Sequence, residues 1–120
     1  CIIMSEKYTV KISLCVLGLN NLTAEYNILS VDPETLILPF IELDNNNNIT
    51  KILENICKRH IDLDTNWIQY KILDAIVEND TILVLYRCMI PLDTKVLDTY
   101  WIPSWKCIHN PLTPIILNSL

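Results

Sequence analysis

Apolar residues fall at two different spacings along the first half of the chain, and the change between them sets out the elements. From Tyr8 to Gly18 they alternate at Tyr8, Val10, Ile12 and Leu14 and then run on through Leu17, which predicts a strand. Asn20-Asn21 marks a turn, and Ala24 to Val31 predicts a second strand, hairpin partner of the first. Asp32-Pro33-Glu34-Thr35 reads as a turn because Asp precedes a Pro whose ring presets its own φ; Thr35 to Pro39 then predicts a short strand or an extended entry. Past the polar run Asp44 to Asn48 the spacing becomes helical. Ile49, Ile52, Leu53, Ile56 and His60 share one face of a helix from Ile49 to His60, with Asn48 as its N-cap and Glu54 and Lys58 paired on the solvated side.

In the second half, Trp67 to Val77 alternates through Ile68, Tyr70, Ile72 and Asp74 and predicts a strand. Glu78-Asn79-Asp80 is a hairpin turn. Thr81 to Ile90 is continuous in Ile, Leu, Val and Tyr, which predicts a central strand ended by Pro91. Asp98 to Ile102 predicts a short extended piece closed by Pro103. The segment 110–114 opens a closing helix, with Pro at its tolerated first turn and Leu112, Ile115, Ile116 and Leu120 on the docking side. The order is β, β, short β, helix, β, β, short β, helix. It predicts an α/β fold, a mixed sheet flanked by helices, as one domain over residues 7–120 behind a six-residue tail.

Composition narrows the function classes. A chain of 120 residues with 51% hydrophobic residues can build one packed core. Charged residues make up 19%, below the usual quarter, so apolar surface is left to meet a partner. A net charge of −5 gains nothing from phosphate backbones and argues against nucleic acid as a partner. No apolar run approaches the roughly 18 residues of a membrane span. Cys1-Ile2-Ile3 precedes Met4 and reads as a remnant before a start codon. Five cysteines without a CxxC pair, with no leader in front of them, point to a reducing compartment such as the cytoplasm and away from secretion. Abundant Ile and Asn with little Gly and Ala is the mark of AT-rich codons, as in many phages, viruses and organelles.

The stretch Leu38 to Asp64, LPFIELDNNNNITKILENICKRHIDLD, resembles the signature box of the Nudix hydrolase family. That box opens with Leu-Pro-Gly-Gly, passes a loop, enters a helix bearing Arg-Glu-x-x-Glu-Glu, and ends in Gly-Leu. Leu38 and Pro39 match the opening, but Phe40 and Ile41 stand at the two glycines. Asn55 stands at the Arg, Ile56 at the first helix Glu, Arg59 and His60 at the paired Glu, and Asp62 at the closing Gly. Tyr100-Trp101-Ile102-Pro103 is similar to the family's aromatic-then-Pro approach to a final helix. The resemblance implies a Nudix-like mixed sheet over most of residues 7 to 120.

It also implies that the family's chemistry is missing. Mg²⁺ needs oxygen ligands, usually carboxylates, and the family's helix glutamates at i, i+3 and i+4 aim at one ion. Here that trio is Ile56, Arg59 and His60, and a guanidinium repels a metal. A register slip to Glu54, Cys57 and Lys58 keeps one carboxylate. The expectation is therefore no catalytic residue, no metal and no cofactor, and a domain that works through protein contacts in a larger assembly. A nucleotide sensor that keeps the old cleft, with Arg59 as a phosphate partner, is the alternative; a diverged hydrolase is the third reading.

Other constellations have plainer explanations. Cys57, His60, Cys107 and His109 could hold zinc but lack ligand spacing. Tyr100, Trp101 and Trp105 could stack a base or meet a partner, or simply pack the last helix on the sheet. Glu78, Asp80, Asp93 and Asp98 read as solvated turn residues, and Asn21, Asn48 and Asn79 as chance glycosylation triplets.

Overall fold

Seven consecutive buried residues, Ile12 to Gly18, make strand β1 (Thr9–Asn20) the axis of the molecule. The computed structural model describes residues 9–20, 22, 25–44, 48–62, 64 and 67–119. Tyr8, Ala24, Asn21, the Asn45 to Asn47 part of the loop, Leu120 and the N-terminal tail of the sequence reading lie outside these. The elements that follow β1 are β2 (Glu25–Ser30), β3 (Phe40–Glu42), α1 (Ile49–His60), β4 (Lys71–Glu78), β5 (Thr81–Pro91), β6 (Tyr100–Pro103), a 3-10 turn (Ser104–Cys107) and α2 (Leu112–Asn118).

The sheet order is β4-β5-β1-β2-β6, with β3 also paired to β1. One flank of β1 is shared: its first half pairs antiparallel with β3 (Ile12↔Ile41, Ser13↔Phe40) and its second half with β2 (Leu17↔Ile28, Asn20↔Glu25). The other flank pairs in parallel with β5 over eleven positions, Thr9↔Thr81 through Leu19↔Pro91. This parallel pairing, with the crossover through α1, makes the sheet mixed. Both faces of β1 are covered. Ile12, Leu14 and Val16 point to a core cluster with Ile52, Leu53, Ile56 and Cys57 of α1. Cys15 and Leu17 point to the opposite cluster with Leu85, Ile102, Cys107 and Ile116, under α2.

Several predicted boundaries move. The segment Thr35 to Pro39, expected as a short strand or an extended entry, forms no strand, and the short strand follows it at Phe40–Glu42. Leu36 and Leu38 are buried as part of the second cluster, and their alternation reflects that packing. Ser30 holds the bend before them: its hydroxyl donates to Thr35 O at 2.8 Å, and Ile37 N donates back to it at 3.0 Å. The strand expected from Trp67 begins only at Lys71. The run Thr81 to Ile90 is internal as expected, but the strand buried over its length is β1, because β5 is flanked on one side by the exposed edge strand β4. Asn79, at φ 56° in the β4–β5 turn, takes the left-handed conformation that Asn tolerates and that tight hairpins need. Asn48 caps α1 as predicted, accepting from Lys51 N at 2.8 Å. Among the described residues no helix is long and apolar enough to cross a membrane.

The single glycine, Gly18, is needed for space. A Cβ there would meet Leu92 Cδ1 at 2.9 Å and Trp101 Cη2 at 3.1 Å. The Trp101 ring therefore lies directly on the end of β1. Gly18→Ala is expected to lower unfolding free energy by about 1–3 kcal/mol through overpacking, read by urea denaturation. Asn48→Ala should cost about 1 kcal/mol through the lost cap, and Gly18→Ala combined with Trp101→Phe should recover part of its own loss.

Candidate functional site

Helix α1 carries the residues at the family's metal-binding positions. Its buried side is Ile52, Leu53, Ile56 and Cys57. Ile56, at the position of the first helix Glu, is 1% exposed and packs among Ile12, Leu14, Val16 and Cys88. Asn55, Arg59 and Asp62 are exposed to solvent. The last turn, Lys58-Arg59-His60, places cationic and imidazole groups at the negative end of the helix dipole, where they stabilise it. His60 is half-buried with Nδ1 3.2 Å from Leu97 O, donating to that carbonyl in the Nδ1-protonated tautomer. Leu97 N donates to His60 O (2.8 Å) and Asp62 N to Lys95 O (3.0 Å), so the end of α1 is tied to the 94–97 segment. A hydrocarbon, a solvated guanidinium and an imidazole bonded to the backbone do not fit a divalent cation. Among the described residues no three His, Cys, Asp or Glu side chains converge to hold a metal.

The glycine positions of the box are strand residues. Ile41 pairs with Ile12 and packs against the α1 cluster, while Phe40 pairs with Ser13 on the other face. The Lys11 ammonium sits 4.9 Å from the centre of the Phe40 ring, within cation–π range. Beside Phe40 an open cleft of about 350 Å³ is lined by Leu36, Leu38, Ile76, Leu83 and Leu112, with Lys11 and Glu78 as its charged members. Phe40 and Leu38 were legible as box positions. Ile76 and Leu83 were not, because only the β4–β5 register sets them side by side (Ile76↔Leu83). Arg59 is not among the residues that line this cleft.

The aromatic residues near the C-terminus take different places. Trp101 is half-buried against the α1-side cluster. Tyr100, on the edge strand β6, is 47% exposed, and Trp105, in the 3-10 turn, is 58% exposed with Lys106 Nζ 5.5 Å from its ring centre. Cys57 and Cys107 belong to clusters on opposite faces of the sheet, so Cys57, His60, Cys107 and His109 do not meet as a zinc set.

Inside the α1 layer the buried Cys57 and Cys88 interact with each other and with the half-buried Tyr70. Cys57 Sγ lies 3.4 Å from Tyr70 OH. Hydrogen bonding from Cys88 pulls the Cys57 thiol below its ordinary range despite burial, and Cys88 is pushed up in turn, by the same bond and by burial. On the opposite face, burial pushes Cys15 up to about 12, with Arg87 opposing.

No protein-family model and no curated protein matches the sequence. Solved structures do. The NUDIX domain of Shewanella oneidensis NrtR, crystallised with ADP ribose, superposes with a TM-score of 0.70 at 10% identity, over 97% of this chain and 90% of that one. The chain has the Nudix fold. A MutT/nudix family protein from Enterococcus faecalis gives a TM-score of 0.64 at 14% identity, over 86% of this chain and 46% of that longer one. The C-terminal domain of mouse MUTYH, in its complex with human PCNA, gives 0.62 at 15% identity, over 87% and 78%. Identities this low establish the Nudix fold and leave the activity to the residues themselves.

Restoring the missing acid should not restore a metal site. Ile56→Glu places a carboxyl in the hydrocarbon between α1 and β1, and is expected to destabilise the domain by about 3 kcal/mol or more. Magnesium titration of whatever folded variant remains should show no binding heat. Cys15 gives a pH dependence. Its folded pKa lies above the unfolded value, so its contribution to stability is full below pH 9.0 and is lost as pH climbs toward about 12. Denaturation across that range should show the loss, and Cys15→Ala should flatten it.

Proposed function

We propose that this is a non-catalytic Nudix-fold domain that acts through protein contacts, as a structural or accessory part of a larger assembly. The observation that carries the reading is the burial of Ile56 in the core at the place of the first helix Glu, beside an exposed Arg59. A site built to polarise a diphosphate needs clustered carboxylates there; this helix uses the position for packing. Exposed Tyr100, Trp105 and Ile108 supply the large apolar side chains that partner interfaces favour. The MUTYH domain seen with PCNA is a precedent for this fold in a protein complex. The free, buried Cys15, Cys57, Cys88 and Cys107 suit a reducing compartment.

A second reading has its own observation. The apolar cleft beside Phe40, with Lys11 at hand, is of a size to hold a nucleotide without cleaving it. The NrtR domain was crystallised with ADP ribose.

The test has two arms. Incubation with ADP-ribose, a nucleoside triphosphate and a dinucleoside polyphosphate plus Mg²⁺ or Mn²⁺ should release no nucleoside monophosphate. Turnover near about 1 s⁻¹, ordinary for an enzyme, would overturn the proposal. Alanine at Tyr100 and Trp105 should shift stability by less than about 0.5 kcal/mol, yet free the domain from its native complex. A thermal shift with millimolar ADP-ribose that Lys11→Gln removes would favour the sensor reading.

A further inference from the structure

The sheet ends at β4, which among the described residues pairs only with β5, so its outer edge is open. The register divides its side chains between two faces. Ile72, Ala75 and Val77 stand opposite Tyr86, Val84 and Ile82, on the sheet face that carries α1. Lys71, Asp74, Ile76 and Glu78 stand opposite Arg87, Leu85, Leu83 and Thr81, on the face of α2. Ile72 is 56% exposed and Val77 64%. An eight-residue edge strand with apolar side chains in the open is a template for another strand.

A bulge decides how that template reads. Leu73 is the extra residue between Ile72↔Tyr86 and Asp74↔Leu85, and it packs with the α2-side cluster. Lys71 and Glu78 lie an odd number of residues apart, so a regular strand would set them on opposite faces. The extra residue returns them to one face. Counted in ladder positions from Ala75, Asp74, Ile72 and Lys71 lead one way, and Ile76, Val77 and Glu78 the other. The apolar positions mirror each other, and the strand ends on opposite charges. Lys71 also stands across from Arg87, and like charges directly opposite repel. Lys71 Nζ reaches Ser119 O at 3.5 Å, a carbonyl that already accepts from Arg87 Nη1 at 2.8 Å. Among the described residues Lys71 meets no carboxylate.

We propose that β4 is the interface of a homodimer, in which two copies pair these strands antiparallel about a two-fold axis through Ala75. A second copy is the fitting occupant because the edge is complementary to itself. Lys71 meets the partner's Glu78 on the α2 face, and Ile72 meets the partner's Val77 on the α1 face. The two-fold axis makes each of these pairs twice. It also brings a carboxylate to the place where two cations oppose each other. Asp74 Oδ1 accepts from Ala75 N at 2.8 Å and so shields the centre of the edge in a single copy. The partner strand must displace that bond, which restricts the edge to a strand whose flanking pairs match. Tyr100 lies on β6, the other end of the sheet order, so this interface is separate from the assembly surface proposed above.

The test is sedimentation equilibrium of the full chain at low salt. A monomer–dimer equilibrium with Kd below about 100 μM is expected. Lys71→Glu and Glu78→Lys, both at exposed positions, should each weaken it about tenfold or more, since two attractive pairs become repulsive. An equal mixture of the two variants should form a heterodimer, and the double variant should recover the homodimer. Val77→Lys should abolish association, Asp74→Ala should tighten it, and Tyr100→Ala should leave it unchanged. A chain that stays monomeric at about 1 mM overturns the proposal. So does a dimer indifferent to both charge reversals, or one lost in each single variant and recovered in neither the mixture nor the double variant.

Discussion

The parallel pairing of β1 with β5 is the constraint on which the rest of the molecule depends. Eleven paired positions join the two strands, and β1 sends side chains into both core clusters. A parallel pair needs a crossover, and the long connection through β2, β3, α1 and β4 provides it. Both faces of the sheet must then be covered, by α1 on one and by the 3-10 turn and α2 on the other. The absence of side-chain volume at Gly18 belongs to the same constraint, since it lets Trp101 close the end of β1.

Helix α1 answers to the same constraint. Ile56, at the position of an acid in the box that the sequence resembles, gives the helix a hydrophobic anchor between Ile52 and Cys57, and its buried face is fully apolar. The scaffold and the chemistry compete for that position. A carboxylate there must be solvated or bound to metal, whereas an isoleucine is stabilised by burial, roughly 1.5–3 kcal/mol for a side chain of this size. Phe40 and Ile41 tell the same story at the glycines, one ring beside Lys11 and one side chain in the α1 cluster. Positions that serve close phosphate approach in an active box here serve strand pairing and packing.

The two cavities divide the remaining chemistry. The cleft beside Phe40 is mainly apolar with Lys11 and Glu78 as its charged members, while the cavity beside Arg87 joins that guanidinium and the Gln69 amide to Trp67, Cys88 and Met89. Charge on this acidic chain is thus concentrated locally. An overall charge of −5 says little about the potential at a pair of cations sharing one carbonyl.

The local elements were legible in the chain. Helical spacing from Ile49 to His60 and the Asn48 cap are short-range properties, and they placed α1 with its correct ends. The two-residue period placed β1 and a continuous apolar run placed β5 within a few residues, and the box resemblance singled out Ile56, Arg59 and His60, whose surroundings only the folded chain decides. Tertiary structure alone decided what depends on partners distant in sequence. That includes the parallel β1–β5 pair, the move of the short strand to Phe40, and the late start of β4 at Lys71. It also includes the meeting of Lys71 with Arg87 at Ser119, residues too far apart for any local pattern to join. A periodicity records which way a side chain points; only the closed sheet fixes what stands opposite it.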